Sequence, residues 1–178
     1  PQFEDVPIDE NIILLVGPDN YYASSIEEIA DFHINFANSA GSRDNIFIMI
    51  RNYNDEYYLG HVDDNKLFYG IIHDIWIRDF ATQQVGNTKH KFKYSPYYLD
   101  EWEADWIENS YLDWMNDSGI EYINHDLILD GGNFQTNGSD KVVITTRIFN
   151  DNPTLSEAQL RDYFNINFGI NEIAFIPE

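Results

Sequence analysis

The chain contains no cysteine among its 178 residues. Disulfides, thiolate metal sites and a thiol nucleophile from this chain are thereby excluded. Cations are scarce as well: 10 Lys and Arg face 31 Asp and Glu, for a net charge of −21. Phosphate backbones are gripped by an excess of Lys and Arg, so nucleic acid is not expected as a partner. Long hydrophobic runs are missing too. A membrane helix needs about 20 apolar residues, whereas the longest run here is Ile12 to Val16, so no membrane partner is expected. The first ten residues are acidic and polar and do not read as a secretory signal. The reading favours a soluble, cytoplasmic protein.

What is present is a globular composition, with 43% hydrophobic and 16% aromatic residues, enough to build a core. The acidity has three readings: a solvated surface, attraction of cationic ligands, or divalent cation binding. The Asp and Glu residues are scattered and never form the Asp-x-Asp-x-Asp-Gly spacing of a calcium loop. No metal site and no cofactor are expected.

Periodicity gives an α/β protein. Residues 1–10 read as an acidic lead-in. Ile12–Val16 reads as a buried strand closed by the Gly17-Pro18-Asp19-Asn20 turn. A helix follows from Ser24, with Ser24-x-x-Glu27 as a capping box, Ile26, Ile29, Ala30, His33 and Ala37 on its buried face, and Gly41 as its stop. Ile46–Ile50 and Leu67–Ile72 read as strands around a polar loop at 52–66. Residues 81–97 suggest a short hairpin with a basic patch at Lys89, Lys91 and Lys93. Glu101–Met115 reads as a helix whose Trp102, Trp106, Ile107, Tyr111, Trp114 and Met115 supply core. Short strands are expected at 120–123, 127–129, 141–146 and 173–176. A last helix is expected to open at Pro153-Thr154, with Thr154-x-x-Glu157 as a second capping box. No internal linker is visible, so residues 1–178 are expected to form one domain, and the order of elements fits repeated ββαβ units.

Two segments carry candidate chemistry. Asp74-Ile75-Trp76-Ile77-Arg78-Asp79 follows an apolar strand. A carboxylate matches two parallel N–H donors of a guanidinium, and a Trp face attracts a cation; the alternative is an internal Arg–Asp pair that ties the loop down. Asp130-Gly131-Gly132-Asn133 follows the strand Leu127–Leu129. Its glycines permit a close approach of backbone to a ligand; the alternative is a plain hairpin turn.

Taken together, Asp-x-Trp-x-Arg-Asp and the later strand with Asp-Gly-Gly-Asn resemble the agmatine deiminase and bacterial peptidylarginine deiminase family. Val143-Ile144-Thr145-Thr146, Asn152-Pro153-Thr154-Leu155, Phe168-Gly169-Ile170 and Ile173–Pro177 continue the resemblance in order. It covers roughly Leu67 to Pro177. It implies an α/β partial pentein, an incomplete α/β propeller of ββαβ modules matching the family's amino-terminal half. It also implies hydrolysis of a guanidinium, in agmatine or peptidyl-arginine, to a urea and ammonia through a covalent Cys intermediate, with no metal or organic cofactor. Within that resemblance, Asp130 matches the acidic residue that orients the catalytic His and helps hold substrate. Asp79 matches the guanidinium-binding carboxylate, and Asp74 and Trp76 match the channel lining. Gly131, Gly132 and Asn133 complete the second substrate-binding segment. Two departures stand out: Asp130 replaces the usual Glu, and Phe80-Ala81 replaces a usual Gly-Pro step.

The family's His lies in a Gly-His-x-Asp segment after the strand matched by Ile173–Ile176, and its Cys lies near the family's carboxyl terminus. This chain carries neither there and is expected to be inactive alone. Gly60-His61-Val62-Asp63 has the right letters in the wrong place and reads as a surface loop. His33 reads as a core or boundary histidine, while His73, His90 and His125 show no partner in sequence. The partners implied are a cationic guanidino compound or an arginine side chain. A second chain supplying the missing half, or a homo-oligomer, is also implied. A non-catalytic pentein-derived binding or self-assembling protein and an acidic cation-binding module are the other readings.

Overall fold

The computed structural model describes residues 12–40, 45–85 and 87–178. The acidic lead-in and the Gly41 helix stop lie outside the described residues. Fourteen helices and strands are described: β1 (Ile12–Val16), α1 (Ile26–Ala40), β2 (Asn45–Ile50), β3 (Leu67–Tyr69), α2 (Ile77–Phe80), β4 (Gln83–Val85), β5 (Thr88–Lys93), α3 (Glu101–Asp117), β6 (Ile123–Ile128), β7 (Gln135–Thr136), β8 (Lys141–Thr145), α4 (Arg147–Asp151), α5 (Glu157–Phe168) and β9 (Glu172–Ile176). Three three-stranded sheets result, ordered β1-β2-β3, β4-β5-β6 and β7-β8-β9. In the second and third, an antiparallel pair is followed by helix and then a parallel strand, so both are ββαβ units. The first sheet is parallel throughout.

Where the sequence suggests a single domain, the contacts gather into two compact units. One is Pro1–Ile77 with Ser110–Trp114, the other Arg78–Asn109 with Met115–Glu178. In the first unit, α1 lays Ala30 and Ala37 on Ile46, Ile48 and Ile50 of β2, with Tyr58, Val62 and Leu67 closing the cluster. β2 reads as an unbroken apolar run because five of its six residues are buried. His33 joins this core, as expected, with its Nδ1 3.1 Å from the Tyr58 hydroxyl. Burial pushes its imidazole down to about 4. The 52–66 loop is polar in letters but buries Asn54, Tyr58 and Val62.

The second unit is built on Phe92, Leu127, Leu129, Phe134, Val142, Ile144, Ile148, Leu160, Phe164, Phe168, Ile170 and Ile173. Gly169 ends α5 at φ 67, in the left-handed region that glycine reaches without strain.

Several expectations are corrected. The chain turns helical earlier than Ser24, through a 3-10 turn at Asn20–Ser25 capped by the Asp19 side chain on Asn20 N at 2.5 Å. The strand at 67–72 stops at Tyr69. The strands expected at 120–123 and 127–129 are one strand, β6. The capping box of α5 is Ser156 with Gln159, not Thr154 with Glu157, because the short helix α4 and the turn after it occupy the chain up to Leu155. The hairpin is present, but Lys91 is not part of a surface patch. Only 2% exposed, it is paired with Glu108, which also accepts from Tyr94 N at 2.8 Å. In α3, Ile107, Tyr111 and Met115 are buried, whereas Trp102 and Trp106 are exposed. Gly60-His61-Val62-Asp63 is a turn with exposed His61, as expected, although Val62 is buried.

Candidate guanidinium site

In the second unit, chain geometry explains the glycines. Lys93 O accepts from Leu129 N at 3.2 Å, which carries pairing one step past β6. Asp130 then takes an extended conformation (φ −72, ψ 131) and heads a 3-10 turn, Gly131–Asn133, without spending its carboxylate as a cap. A Cβ on Gly131 would be driven into the Arg78 carbonyl oxygen, and one on Gly132 into Asp79 Oδ1. The glycines are needed because the α2 turn packs straight onto this backbone. The two motifs therefore meet as structure: Asp79, Asp130, Gly131, Gly132 and Asn133 come together in one place.

Three ties hold the arrangement. Asn133 Oδ1 accepts from Thr145 N at 2.8 Å, which fastens the turn to the end of β8. Gln135 donates through Nε2 to Gly132 O at 2.6 Å and accepts from the Arg78 guanidinium at 3.3 Å. Phe134 anchors the turn in the core. Arg78 thus works through Gln135, and Asn133, expected on the substrate, has its side-chain oxygen engaged by backbone.

Electrostatically this is a pair of carboxylates in a half-buried place. Burial pushes Asp130 up to about 6. The Arg147 guanidinium opposes that rise, while Asp79 and then Asp151 add to it. Burial thus makes the charge of Asp130 costly where it sits, and a further cation beside it would favour the ionised form.

The first unit holds Asp74 and Trp76. Asp74 Oδ1 accepts from the Tyr22 hydroxyl at 2.7 Å and from Trp76 N at 3.3 Å. Burial, then the Asp74 bond, raises the Tyr22 phenol well above its ordinary range. Trp76 is 61% exposed.

Beside Asp74 lies a cluster whose members the sequence does not join to one another. Asp19 receives the Arg51 guanidinium at 2.8 Å, the Tyr53 hydroxyl at 3.0 Å and His73 Nδ1 at 2.9 Å. Arg51 also reaches Ile72 O. Burial works to raise the Asp19 carboxyl, but His73, Arg51 and their neighbours together hold it below its ordinary value. The available signal was position: Asp19, like Asp74 and Asp130, follows an apolar strand. His90 and His125 find each other, at 2.9 Å between Nδ1 and Nε2, and His125 Nδ1 lies 2.5 Å from the Tyr163 hydroxyl. Among the described residues no cluster of three or more His, Asp or Glu is arranged to hold a metal, and no helix is long and apolar enough to cross a membrane.

Comparison with solved structures shows the fold. C. jejuni agmatine deiminase superposes with a TM-score of 0.78 at 17% identity, over 94% of this chain and 53% of that one. The Enterococcus faecalis agmatine deiminase gives 0.68 at 11% identity, over 95% and 51%. The chain is thus a partial pentein, and it spans about half the length of these solved relatives. A Vibrio parahaemolyticus protein named "Putative agmatine deiminase" is 24% identical over 117 residues, 58% of this chain and 32% of its own length. The model of the Porphyromonas-type peptidyl-arginine deiminases matches residues 8–178, and the chain belongs to that family.

Proposed function

We propose that this chain is the guanidinium-holding part of a guanidine deiminase, acting on agmatine or on an arginine side chain. The observation that carries the reading is the meeting of Asp79 and Asp130 over Gly131-Gly132. Two carboxylates at close quarters repel each other. A planar cation with several N–H donors relieves both at once, through charge-assisted bonds that a neutral ligand cannot offer. Substrate binding and loss of the Asp130 proton are then coupled, because only the ionised form accepts on both oxygens.

Hydrolysis through a covalent intermediate needs a nucleophile, and this chain has no cysteine. Binding without turnover is the expected behaviour of the chain by itself. A partner carrying the nucleophile, on a second chain, would complete the reaction to a urea and ammonia.

Calorimetry with agmatine, arginine and an arginine-containing peptide tests the reading, beside an ammonia-release assay. Binding that weakens in Asp79→Asn and in Asp130→Asn, with no ammonia released, is expected. Affinity that ignores both substitutions, or ammonia release that survives them, sinks it. The channel roles that the resemblance gives Asp74 and Trp76 are tested by the same titrations on Asp74→Asn and Trp76→Ala.

A further inference from the structure

Two asparagines confine Asp130 and one cation to the same small space. Asn133 ties its own turn to Thr145 N. Asn152 grips Ile128 twice, with its Oδ1 accepting from Ile128 N at 3.0 Å and its Nδ2 donating to Ile128 O at 2.9 Å, and it also donates to Ile148 O at 2.9 Å. One stretch of chain between these clamps carries Asp130, and the other carries Arg147.

Arg147 is itself fixed. Its guanidinium lies 4.2 Å over the Tyr97 ring, its Nε donates to Asp151 Oδ2 at 3.0 Å, and one Nη stands 3.5 Å from Glu178. The other Nη is buried without a hydrogen-bond partner among the described residues. A guanidinium ordinarily spends its five donors. Here one nitrogen, with two of those donors, is left over in the interior, and the charge acts on Asp130 without a bond to it. Asp130 keeps its oxygens for something else.

We infer that Arg147 is a positioning residue of this site: a built-in guanidinium, braced by Tyr97 and Asp151 between two asparagine clamps, that balances the Asp79–Asp130 pair and holds Asp130 ready for a cationic ligand. The inference rests on the guanidinium-holding reading above. It carries two opposed consequences. Arg147 favours an ionised Asp130, and it also repels an incoming guanidinium. Removing it is therefore expected to raise affinity well above the Asp130 midpoint, where only the repulsion is lost, and to move the loss of affinity on acidification to higher pH.

The test is titration of the Asp130 carboxyl by carbon NMR in the unliganded chain, followed by agmatine calorimetry across pH. In Arg147→Gln the midpoint is expected to rise by about one unit, the low end for loss of a close opposite charge. In Arg147→Lys, which keeps the charge, it is expected to return toward the parent value. A midpoint unchanged in the glutamine variant, or moved as far by lysine as by glutamine, overturns the inference. Should the glutamine variant fail to fold, Tyr97→Leu takes its place: it loosens the guanidinium and is expected to raise the midpoint part of the way, and an unmoved midpoint there overturns it equally. The titration needs no ligand. A shifted midpoint without any agmatine binding refutes the guanidinium site while leaving the Arg147–Asp130 link standing.

Discussion

Asp79 Oδ1 occupies the space in which a side chain on Gly132 would begin. Each is thereby the reason for the other: the carboxylate can sit there only above a glycine, and the glycine's openness is used up by the carboxylate. The neighbouring Gly131 faces the Arg78 carbonyl oxygen and the Gln83 amide in the same way.

These two glycines are expected to answer differently to alanine. Gly132→Ala meets a side-chain carboxylate, which can swing aside, so the fold survives while agmatine binding weakens. Gly131→Ala meets a backbone oxygen, which cannot, and is expected to cost roughly 1–3 kcal/mol as overpacking. Denaturant melts and calorimetry on both variants check the contrast; equal stability losses would refute it.

Asp130 gives a pH signature of its own. Its folded value is near 6 against an ordinary 3.8. The folded chain therefore holds the proton more tightly than the unfolded one, and ionisation of Asp130 opposes folding. The penalty is absent below about 4, grows as pH rises between the two values, and is complete above about 6. Asp130→Asn is expected to stabilise the chain at neutral pH, with the gain vanishing near the ordinary Asp value. Paired thermal melts across that range decide it, and a pH-independent difference counts against the burial argument.

His33 has the opposite sign. Its folded value is about 4 against 6.5, so the unfolded chain binds the proton first, and stability falls as pH drops from the second value toward the first. His33→Gln, which retains a polar group near Tyr58, is expected to flatten the acid side of the melting curve. Its melting temperature should change less than the parent's between neutral and mildly acidic buffer; an equal change sets the idea aside.

Asn152→Ala removes three hydrogen bonds and leaves Ile128 N, Ile128 O and Ile148 O without that partner. Roughly 2–4 kcal/mol is expected to be lost, since unpaired buried backbone costs more than the bond itself returned. The Asp130 carbon resonance should broaden as well, because the clamp two residues before it is gone. Denaturant unfolding and the NMR line shape are the measurements.

Strand-and-helix order was legible because the buried runs are continuous and the amphipathic faces keep their period. Residues 12–16, 46–50 and 141–145 needed nothing beyond that. β6 was split by Asn124-His125-Asp126, whose polarity hides a strand in which His125 is engaged from the side by His90 and Tyr163. Two capping boxes overlap by two residues near 154–159, and only the position of α4 selects between them. The motif residues were found by family likeness. The reason for their glycines was not readable, since it lies in the carbonyl of Arg78 and the carboxylate of Asp79, some fifty residues away. Asp19 and Arg147 stay inconspicuous in the sequence, and Lys91 reads as surface, on the same ground: apart from the Asp151 that pairs with Arg147 at i+4, their main partners are brought in only by folding.

Lys91 is shut inside the second unit with Glu108, and burial works to lower its ammonium while Glu108 opposes the loss of charge. An amine-specific acylating reagent can reach it only when that region opens. The five lysines of this chain therefore include a timekeeper. The lag between labelling of exposed Lys141 and labelling of Lys91 reads out, peptide by peptide in a mass spectrometer, how often the folded molecule breathes.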